Sequence, residues 1–310
     1  MIFDNQKYKA VVWGFKLKNN LIPHTHSSIH KSFVKAFKHL GYETLWLDDN
    51  DDVSNINFDN CIFLTEGQCD AKIPINNSAY YILHNCSNNA SRYVGLPSDH
   101  KLNLQFFHKA ALERNLTKVN DYTYIGGDVI HIAWATDLLP HEIDENNANN
   151  EKNNKQCVWV GSYDRGDRSA FQNNTELDPY FDECRKNNIK VRTSSPWGGP
   201  ISDEENRNLV HSSYLSPAIQ GPWQIDDLYI PCRIFKHISY GHIGITNNAY
   251  VHKIFGEKLV YSRDPIDLFH KSIEKKNSPN CLNEIKSLMN EVKEKHTYIN
   301  RINSILECFK

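Results

Sequence analysis

The sequence predicts an α/β protein built from two doubly wound halves. Three observations indicate this: apolar, strand-like runs alternate with segments of helical periodicity, a polar and Asn-rich stretch interrupts them, and the alternation then restarts. Strands that alternate with helices favour a parallel sheet covered on both faces. Hydrophobic residues make up 40% of the 310-residue chain and aromatic residues 11%, which is enough for two cores.

The first half begins with a buried strand over 9–15, KAVVWGF. A helix is predicted over 27–41, because its apolar side chains recur with the 3.6-residue period. A serine or threonine between 25 and 28 could cap the start of this helix, and Gly41 could end it. The other predicted strands of this half are 42–48, 61–67, 79–85, 122–127 and 129–136.

The second half follows a polar linker predicted over 144–155, a stretch rich in Asn and nearly free of apolar residues. The predicted domains are therefore 1–143 and 156–280, and a long amphipathic helix over 281–310 closes the chain. The elements predicted in the second domain are strands over 156–162, 189–195 and 258–262, and helices over 178–188, 202–213 and 264–276.

Bulk properties exclude several classes of protein. The formal net charge of −2 does not favour a nucleic-acid partner. No run approaches the roughly 18–20 apolar residues that a membrane span needs, and the first residues lack a signal-peptide layout. The eight cysteines are scattered without a CxxC pair, which favours buried thiols over disulfides. A soluble, cytoplasmic protein is predicted.

The segment IPCRIFKHISYGHIGITN, residues 230–247, places two cations near the start of a helix. Pro231 suits the first turn, where its missing N–H costs nothing, and Arg233 and Lys236 follow it. A cation there opposes the helix dipole by about 0.3–1 kcal/mol, which a bound anion would offset. A diphosphate is the natural candidate, because Arg binds phosphate in bidentate fashion. The alternative is an ordinary helix with solvated cations.

Further candidate side chains come at the carboxyl ends of strands, where open parallel sheets bind their ligands. Gly241 is predicted to end the helix, and Thr246 and Asn247 close the short apolar strand after it. Arg165 and Arg168 come after the strand that opens the second domain. For these two arginines, phosphate contact and a place in a surface loop both stay open.

The segment GPWQIDDLYIPCRIFKHISYGHIGITN resembles the donor-binding segment of the GT-B class of nucleotide-sugar glycosyltransferases: a helix with Arg or Lys near its start, a glycine and an apolar strand. CVWVGS resembles the strand and Gly-rich turn that open the donor domain, and VIHIAWATDLLP the crossing between domains. The resemblance covers the layout of nearly the whole chain and lies in the kind and order of elements.

The resemblance implies two Rossmann-like domains that face a cleft, and transfer of a sugar from a nucleoside-diphosphate donor to a hydroxyl of a glycan acceptor. The donor would lie mostly on residues 156–262. Gly161 and Ser162 would let the backbone approach the phosphates. Trp223 and Tyr240 would stack on the base or sugar, with core packing as the alternative. No metal or other cofactor is implied, because the helix dipole and the cations neutralise the diphosphate.

One departure concerns the ribose. Many GT-B enzymes carry a carboxylate on this helix that holds the ribose hydroxyls, and this chain has Lys236 there. Arg233 falls where members similar to α1,3-fucosyltransferases carry a Lys that holds the diphosphate. Asp226 or Asp227 could supply the missing acceptor, and a solvated loop acid is the alternative for each.

A transfer that inverts configuration needs a base for the proton of the acceptor hydroxyl, and His, Asp or Glu would serve. Three sites in the first half compete: the loop with His24, His26 and His30, then Glu66, then His84. All lie near predicted strand ends, and each has a structural alternative. His26 is favoured, since a helix start would keep its imidazole neutral.

Two other patterns invite a metal. HTHSSIH, residues 24–30, spells H-x-H-x3-H, but no carboxylate or Cys partner is evident beside it. DDNDD, residues 48–52, is more typical of a solvated turn. No metal site is predicted. Two alternatives to a glycosyltransferase also stay open: a nucleotide-sugar 2-epimerase of the same architecture, and a non-catalytic sugar-binding or scaffold protein. Donor sugar, base, acceptor, stereochemistry and oligomeric state are not predicted.

Overall fold

A computed structural model describes residues 3–84, 91–106, 128–161, 163, 173–195 and 199–309. The chain forms two compact units. The first comprises Met1–Lys18, His26–Ile132 and Tyr298–Lys310, and the second comprises Asn19–Thr25 and Ala133–Thr297. Each unit is described by itself below.

The first unit is built on a six-stranded parallel sheet with the order β2-β1-β3-β4-β5-β6. The predicted strand over 122–127 lies outside the described residues. The strands are β1 Lys9–Trp13, β2 Thr44–Leu47, β3 Cys61–Glu66, β4 Tyr80–His84, β5 Lys101–Gln105 and β6 Asp128–His131.

The central strand and the first helix show why this unit folds as predicted. All six residues of β3 are buried, as expected for a strand covered on both faces. Helix α1, Thr25–His39, turns its apolar period inward and buries Phe33 and Phe37. It ends where Gly41 adopts a φ of +86°, with the Tyr42 N–H donating to the Phe37 carbonyl at 3.1 Å.

Strand β5 was not predicted from the sequence. Its five residues are all buried, but Lys101, Asn103 and Gln105 are polar. The Lys101 ammonium donates to the Tyr93 carbonyl at 3.1 Å, which satisfies part of that buried group. A strand that buries polar side chains lacks the apolar signal on which a sequence-based assignment depends.

The second unit holds two pairs of parallel strands, β7 with β8 and β9 with β10. An extended segment joins them, because Val158 donates to the Leu215 carbonyl at 2.9 Å and Ala218 donates to the Ile245 carbonyl at 2.9 Å. The unit therefore holds two separate two-stranded parallel sheets, which this one segment links by hydrogen bonds. The strands are β7 Gln156–Val160, β8 Lys190–Ser194, β9 Ile245–Thr246 and β10 Val260–Tyr261.

Side-chain caps begin several helices of the second unit, and the helix predicted over 178–188 begins earlier, at Asn173. Ser202 accepts from the Glu205 N–H at 3.1 Å, and Asp264 accepts from the Ile266 N–H at 2.9 Å. The helices are α2 Asn173–Lys186, α3 Asp203–His211, α4 Pro222–Asp226, α5 Cys232–Ser239, α6 Ala249–Ile254, α7 Pro265–Asn277 and α8 Cys281–Lys295.

The C-terminal segment is helical as predicted, but it forms two helices instead of one. Helix α8 ends at Lys295, and α9 spans Tyr298–Glu307. The Thr136 N–H donates to the His296 carbonyl at 3.1 Å, and Thr297 forms a parallel bridge with Thr136. This pairing takes the chain out of the helix. Helix α9 then packs in the first unit, where the rings of Tyr298 and Phe33 lie 4.6 Å apart.

The polar stretch predicted as a linker has well-defined partners in the second unit. Asn149 donates to the His211 carbonyl at 2.7 Å, and Asn150 donates to the Lys276 carbonyl at 3.0 Å. Asparagine amides that cap backbone carbonyls explain a composition that resembles a solvated loop. The chain passes between the two compact units at 18/19, 25/26, 132/133 and 297/298, and the predicted domain bounds stay a prediction.

The seven cysteines that the structure describes are free thiols. Within the described ranges, none of the helices combines the length and apolar character that crossing a membrane would require.

Candidate functional site

Arg233 is held at the carboxyl end of β7. It is the second residue of α5, which begins after Pro231. Its Nε–H donates to the Val160 carbonyl at 2.9 Å, and its guanidinium carbon lies 3.7 Å from the ring centroid of Trp159. Trp159 is fully buried, so the guanidinium rests on a rigid aromatic face.

Because Gly161 has no side chain, the guanidinium of Arg233 can occupy the space beside it. A Cβ at position 161 would lie 2.0 Å from Arg233 Nη2, closer than any side chain allows. The predicted role of Gly161, close approach of backbone to phosphate, stays a prediction. The structure adds a second reason for a glycine here, which is that any larger residue would displace Arg233.

The charge of Arg233 is poorly compensated within the unit. Burial lowers the pKa of its guanidinium to about 10, against smaller opposing effects of Cys232 and Tyr229. The group therefore stays charged at neutral pH. Among the residues that the structure describes, none brings a carboxylate within 4 Å of it. A cation at a helix start that lacks a counter-ion favours binding of an anion.

Lys236, the second predicted cation, has a different environment. It is 6% exposed and its Nζ lies 3.6 Å from Asp137 Oδ2. Tyr240 donates its hydroxyl to both oxygens of the same carboxylate, at 2.8 Å each. Burial alone would lower the pKa of Lys236, but Asp137 outweighs it and the pKa is raised.

Lys236 and Tyr240 therefore belong to a buried polar network centred on Asp137. The predicted contact of Lys236 with a diphosphate and the predicted stacking of Tyr240 stay predictions. Both side chains would have to leave, or share, the partners they have in this structure.

The remaining predicted donor residues of the second unit differ in their exposure. Thr246 and Asn247 are fully buried. Asn247 accepts from the Gln220 N–H at 2.8 Å and donates to the Gln220 carbonyl at 2.9 Å, which fastens β9 to the neighbouring loop. Trp223 is 37% exposed on α4, whereas Asp227 is buried.

Gly241 ends α5 as predicted. Its φ is +86°, and the His242 N–H donates to the His237 carbonyl at 3.0 Å. A Cβ here would lie 2.3 Å from the Asn147 carbonyl oxygen. A ligand contact at Gly241 stays a prediction. Ser162, Arg165 and Arg168 lie outside the described residues.

The first unit brings together three residues that the sequence analysis treated as competitors. Nδ1 of His26 and Nδ1 of His84 each lie 2.8 Å from Oε2 of Glu66. Glu66 is fully buried, whereas the His84 and His26 side chains are 9% and 18% exposed. We call these three residues the His–Glu–His cluster.

Strand register explains the convergence. Glu66 ends β3 and His84 ends β4, and the two are paired in the parallel register of these strands. His26 lies in the first turn of α1. The ends of adjacent parallel strands meet at one edge of the sheet, so the three side chains reach the same point.

Electrostatics favour an ionised Glu66 carboxylate beside a neutral His84 imidazole. Burial would raise the pKa of Glu66, but His84 and His26 outweigh it and the pKa is lowered. Burial lowers the pKa of His84, against the opposing attraction of Glu66. A neutral imidazole with its proton on Nδ1, facing the carboxylate, keeps a lone pair on Nε2 that can accept a proton.

His30, the last histidine of H-x-H-x3-H, is not one of the three residues of this cluster. His24 is grouped with the second unit. His30 is buried against Gly14, where a Cβ would come within 2.3 Å of its ring. Burial lowers the pKa of His30 to about 3, so it is a neutral packing residue.

The acidic stretch at 48–52 forms a turn, but two of its carboxylates have protein partners rather than being only solvated. Asp49 accepts from the Trp13 indole at 3.0 Å and from the Ala71 N–H at 2.9 Å. Asp51 forms an ion pair with Lys16. These carboxylates are engaged in holding the loop after β2.

Comparisons with known proteins concern the fold. Neither family models nor curated proteins match the sequence. An alpha-glucosyltransferase in complex with UDP superposes with a TM-score of 0.57 at 8% identity, over 98% of this chain and 100% of that chain. An alpha-glucosyltransferase in complex with UDP and a 13-mer DNA containing an HMU base gives 0.53 at 7% identity, over 98% and 99%.

A third solved structure is similar over the same extent. AviGT4, a glycosyltransferase involved in avilamycin A biosynthesis, has a TM-score of 0.53 at 11% identity, over 97% of this chain and 96% of that chain. Likeness at such low identity shows the fold. The predicted fold class, two Rossmann-like units of the GT-B type, is confirmed. The closer likeness of the donor segment to fucosyltransferases stays a prediction.

Proposed function

We propose that this protein is a glycosyltransferase that moves a sugar from a nucleoside-diphosphate donor to a hydroxyl of a glycan acceptor. The observation that carries the proposal is Arg233: a charged guanidinium at a helix start, fixed by Trp159 and Val160, with no carboxylate beside it in the described chain. The structures of similar fold are glycosyltransferases, two of them in complex with UDP.

Arg233 would bind the diphosphate and stabilise it as the leaving group. As the bond from the anomeric carbon to the phosphate oxygen breaks, negative charge develops on the diphosphate. A guanidinium and helix amides that are already in place stabilise this charge without reorganising, which is the largest source of catalysis in many enzymes. The residue needs no metal partner for that role, and we propose a metal-independent transfer.

The His–Glu–His cluster would supply the base. His26 is its most exposed member, and with its Nδ1 facing Glu66 its Nε2 would accept the proton of the acceptor hydroxyl. Glu66 would orient the ring and stabilise the imidazolium that forms, as a carboxylate does in catalytic triads. His84 contacts the same carboxylate oxygen and is the second candidate.

The acceptor is proposed as a glycan hydroxyl. One structure of similar fold contains DNA, so a DNA acceptor belongs in the same experiment. The net charge of −2 does not favour a polyanionic acceptor. We also propose that the protein acts in the cytoplasm.

The test is a binding titration followed by an activity panel. UDP should bind to the protein, and Arg233→Ala should weaken that binding at least about tenfold, because it removes a charge-assisted hydrogen bond. Arg192→Ala is the matched control, since Arg192 is exposed in the same unit and pairs with Glu205. Unchanged UDP affinity in Arg233→Ala would contradict the proposal.

A panel of nucleotide sugars distinguishes the activities. Slow release of sugar from one donor, accelerated by an acceptor, supports a transferase. A sugar altered at C2 on an intact nucleotide would indicate a 2-epimerase. No binding of any nucleotide would indicate a scaffold protein.

A further inference from the structure

We propose that the His–Glu–His cluster also binds one divalent transition-metal ion, with Zn²⁺ as the probe, and that the bound ion inhibits transfer. The inhibitory half rests on the proposed function, whereas the binding half does not. Two imidazoles and one carboxylate are a donor set that binds Zn²⁺ in proteins.

The ligand atoms are already close enough to share one ion. They all lie within 4.8 Å of one another, and both Nδ1 atoms are 2.8 Å from Glu66 Oε2. A tetrahedral Zn²⁺ has bonds of about 2.0–2.2 Å, so its ligand atoms lie about 3.3–3.5 Å apart. Opening the two short contacts by about 0.5 Å would make room for the ion.

The three ligands come from elements that hold them in place. Glu66 and His84 end adjacent strands of the central sheet, and His26 lies in the first turn of α1. The carboxylate is fully buried and both rings are mostly buried, so few waters compete for the ion. A preformed and largely dehydrated site has less ordering to do when it binds metal.

The sequence predicted no metal site because no carboxylate or Cys partner lies beside residues 24–30, whereas the fold supplies a carboxylate. H-x-H-x3-H lacks a carboxylate partner beside it in the sequence. His26 instead acquires Glu66 and His84 from β3 and β4. The ligand set comes from three separate elements, which spacing in one loop cannot reveal.

Metal binding is incompatible with the role of His26 as a base. A neutral imidazole that binds an ion through Nδ1 carries its proton on Nε2. The proton moves from Nδ1 to Nε2 by exchange with solvent, so the ring stays neutral. No lone pair then remains on Nε2 to accept the proton of an acceptor hydroxyl.

The binding test uses the full chain, treated with a chelator, in the absence of nucleotide. Titration with Zn²⁺ followed by calorimetry should show one site in the native protein. Glu66→Gln and His84→Gln should each weaken this site at least about tenfold. His39→Gln is the matched control, because His39 is an exposed histidine of the same helix as His26. The Zn²⁺ affinity of this variant should equal that of the native protein.

A second probe separates this site from the thiols. The chain has eight cysteines, and thiolates also bind Zn²⁺. Co²⁺ in a site of two histidines and a carboxylate shows weak visible bands without the strong near-ultraviolet band of thiolate ligation. Far-ultraviolet circular dichroism checks that each variant folds, and His84→Gln carries the test if Glu66→Gln does not.

The outcomes are distinct. Zn²⁺ affinity that is unchanged in both variants, or no binding at all, would overturn the site. In the native protein, transfer should fall as the site fills, and a rate that rises with Zn²⁺ would overturn inhibition. A protein that binds Zn²⁺ as expected but transfers no sugar would refute the proposed function and the inhibitory half, and would leave the metal site standing.

Discussion

Gly161→Ala should weaken nucleoside-diphosphate binding. The substitution acts indirectly, by displacing the side chain of Arg233, which is itself unchanged. An alanine Cβ at this position would lie 2.0 Å from Arg233 Nη2 and 3.0 Å from its Cζ. The backbone of β7 is held in the sheet, so the flexible guanidinium must move. It would leave the Trp159 face and the Val160 carbonyl that now position it.

The magnitude follows from the interactions lost. A hydrogen bond from a charged donor contributes about 1.5–3 kcal/mol, so losing the bond to phosphate should reduce UDP affinity by about 10- to 100-fold. Losing the bond to Val160 and the cation–π contact should also lower the free energy of unfolding by about 2 kcal/mol. Both effects have the same cause, which is displacement of Arg233.

The assay is calorimetric titration with UDP, with Gly199→Ala as the matched control. Gly199 has a φ of +159°, close to the +157° of Gly161, but a Cβ there meets nothing within 4 Å. The control therefore carries the backbone cost without the clash. In an Arg233→Ala background, Gly161→Ala should cause no further loss of affinity. Normal UDP affinity in Gly161→Ala alone would refute the reasoning.

Two other predictions concern a buried lysine and the base. Burial lowers the pKa of Lys276 from 10.5 to about 8, so folding must release its proton between these pH values and stability should rise with pH across that window. Lys276→Met should therefore raise the free energy of unfolding at pH 7 by about 3 kcal/mol and abolish the rise, as measured by urea denaturation at pH 7 and pH 9.5; an unaltered pH profile would contradict this. His26→Asn should lower kcat by about 10²- to 10⁴-fold with UDP affinity within about twofold, whereas His39→Asn should change neither; full activity of His26→Asn would exclude it as the base.

The local features of the fold were predictable from the sequence. Helix α1 and its glycine end, the Ser202 cap of α3 and the glycine after α5 all depend on residues within a few positions of one another. Their signals are the 3.6-residue period, a serine before the first turn and a glycine that accepts a positive φ. None of these needs knowledge of the tertiary structure.

Features that depend on distant residues were not predictable. From the sequence, His26, Glu66 and His84 were alternatives for one role, because the sequence does not show which strands are adjacent. The order β1-β3-β4 makes them one cluster. The break after α8 involves the pairing of Thr297 with Thr136, two residues that are far apart in the sequence and therefore beyond any local signal.

The candidate donor site was predictable in outline. Arg233 could be chosen because a cation at a helix start after Pro231 is an unusual placement. The residues that hold it could not be chosen, since Trp159 resembles any buried strand residue. The partner of Lys236 was also not predicted. Asp137 lies before β7 in the sequence, and no local pattern indicates its contact with α5.

The most direct test of the central claim is a crystal structure of the protein with UDP. We expect the diphosphate within hydrogen-bond distance, about 2.7–3.0 Å, of the Arg233 guanidinium, beside the first amides of α5. A diphosphate bound elsewhere on the chain, with Arg233 still resting on Trp159 and contacting no phosphate oxygen, would contradict the account.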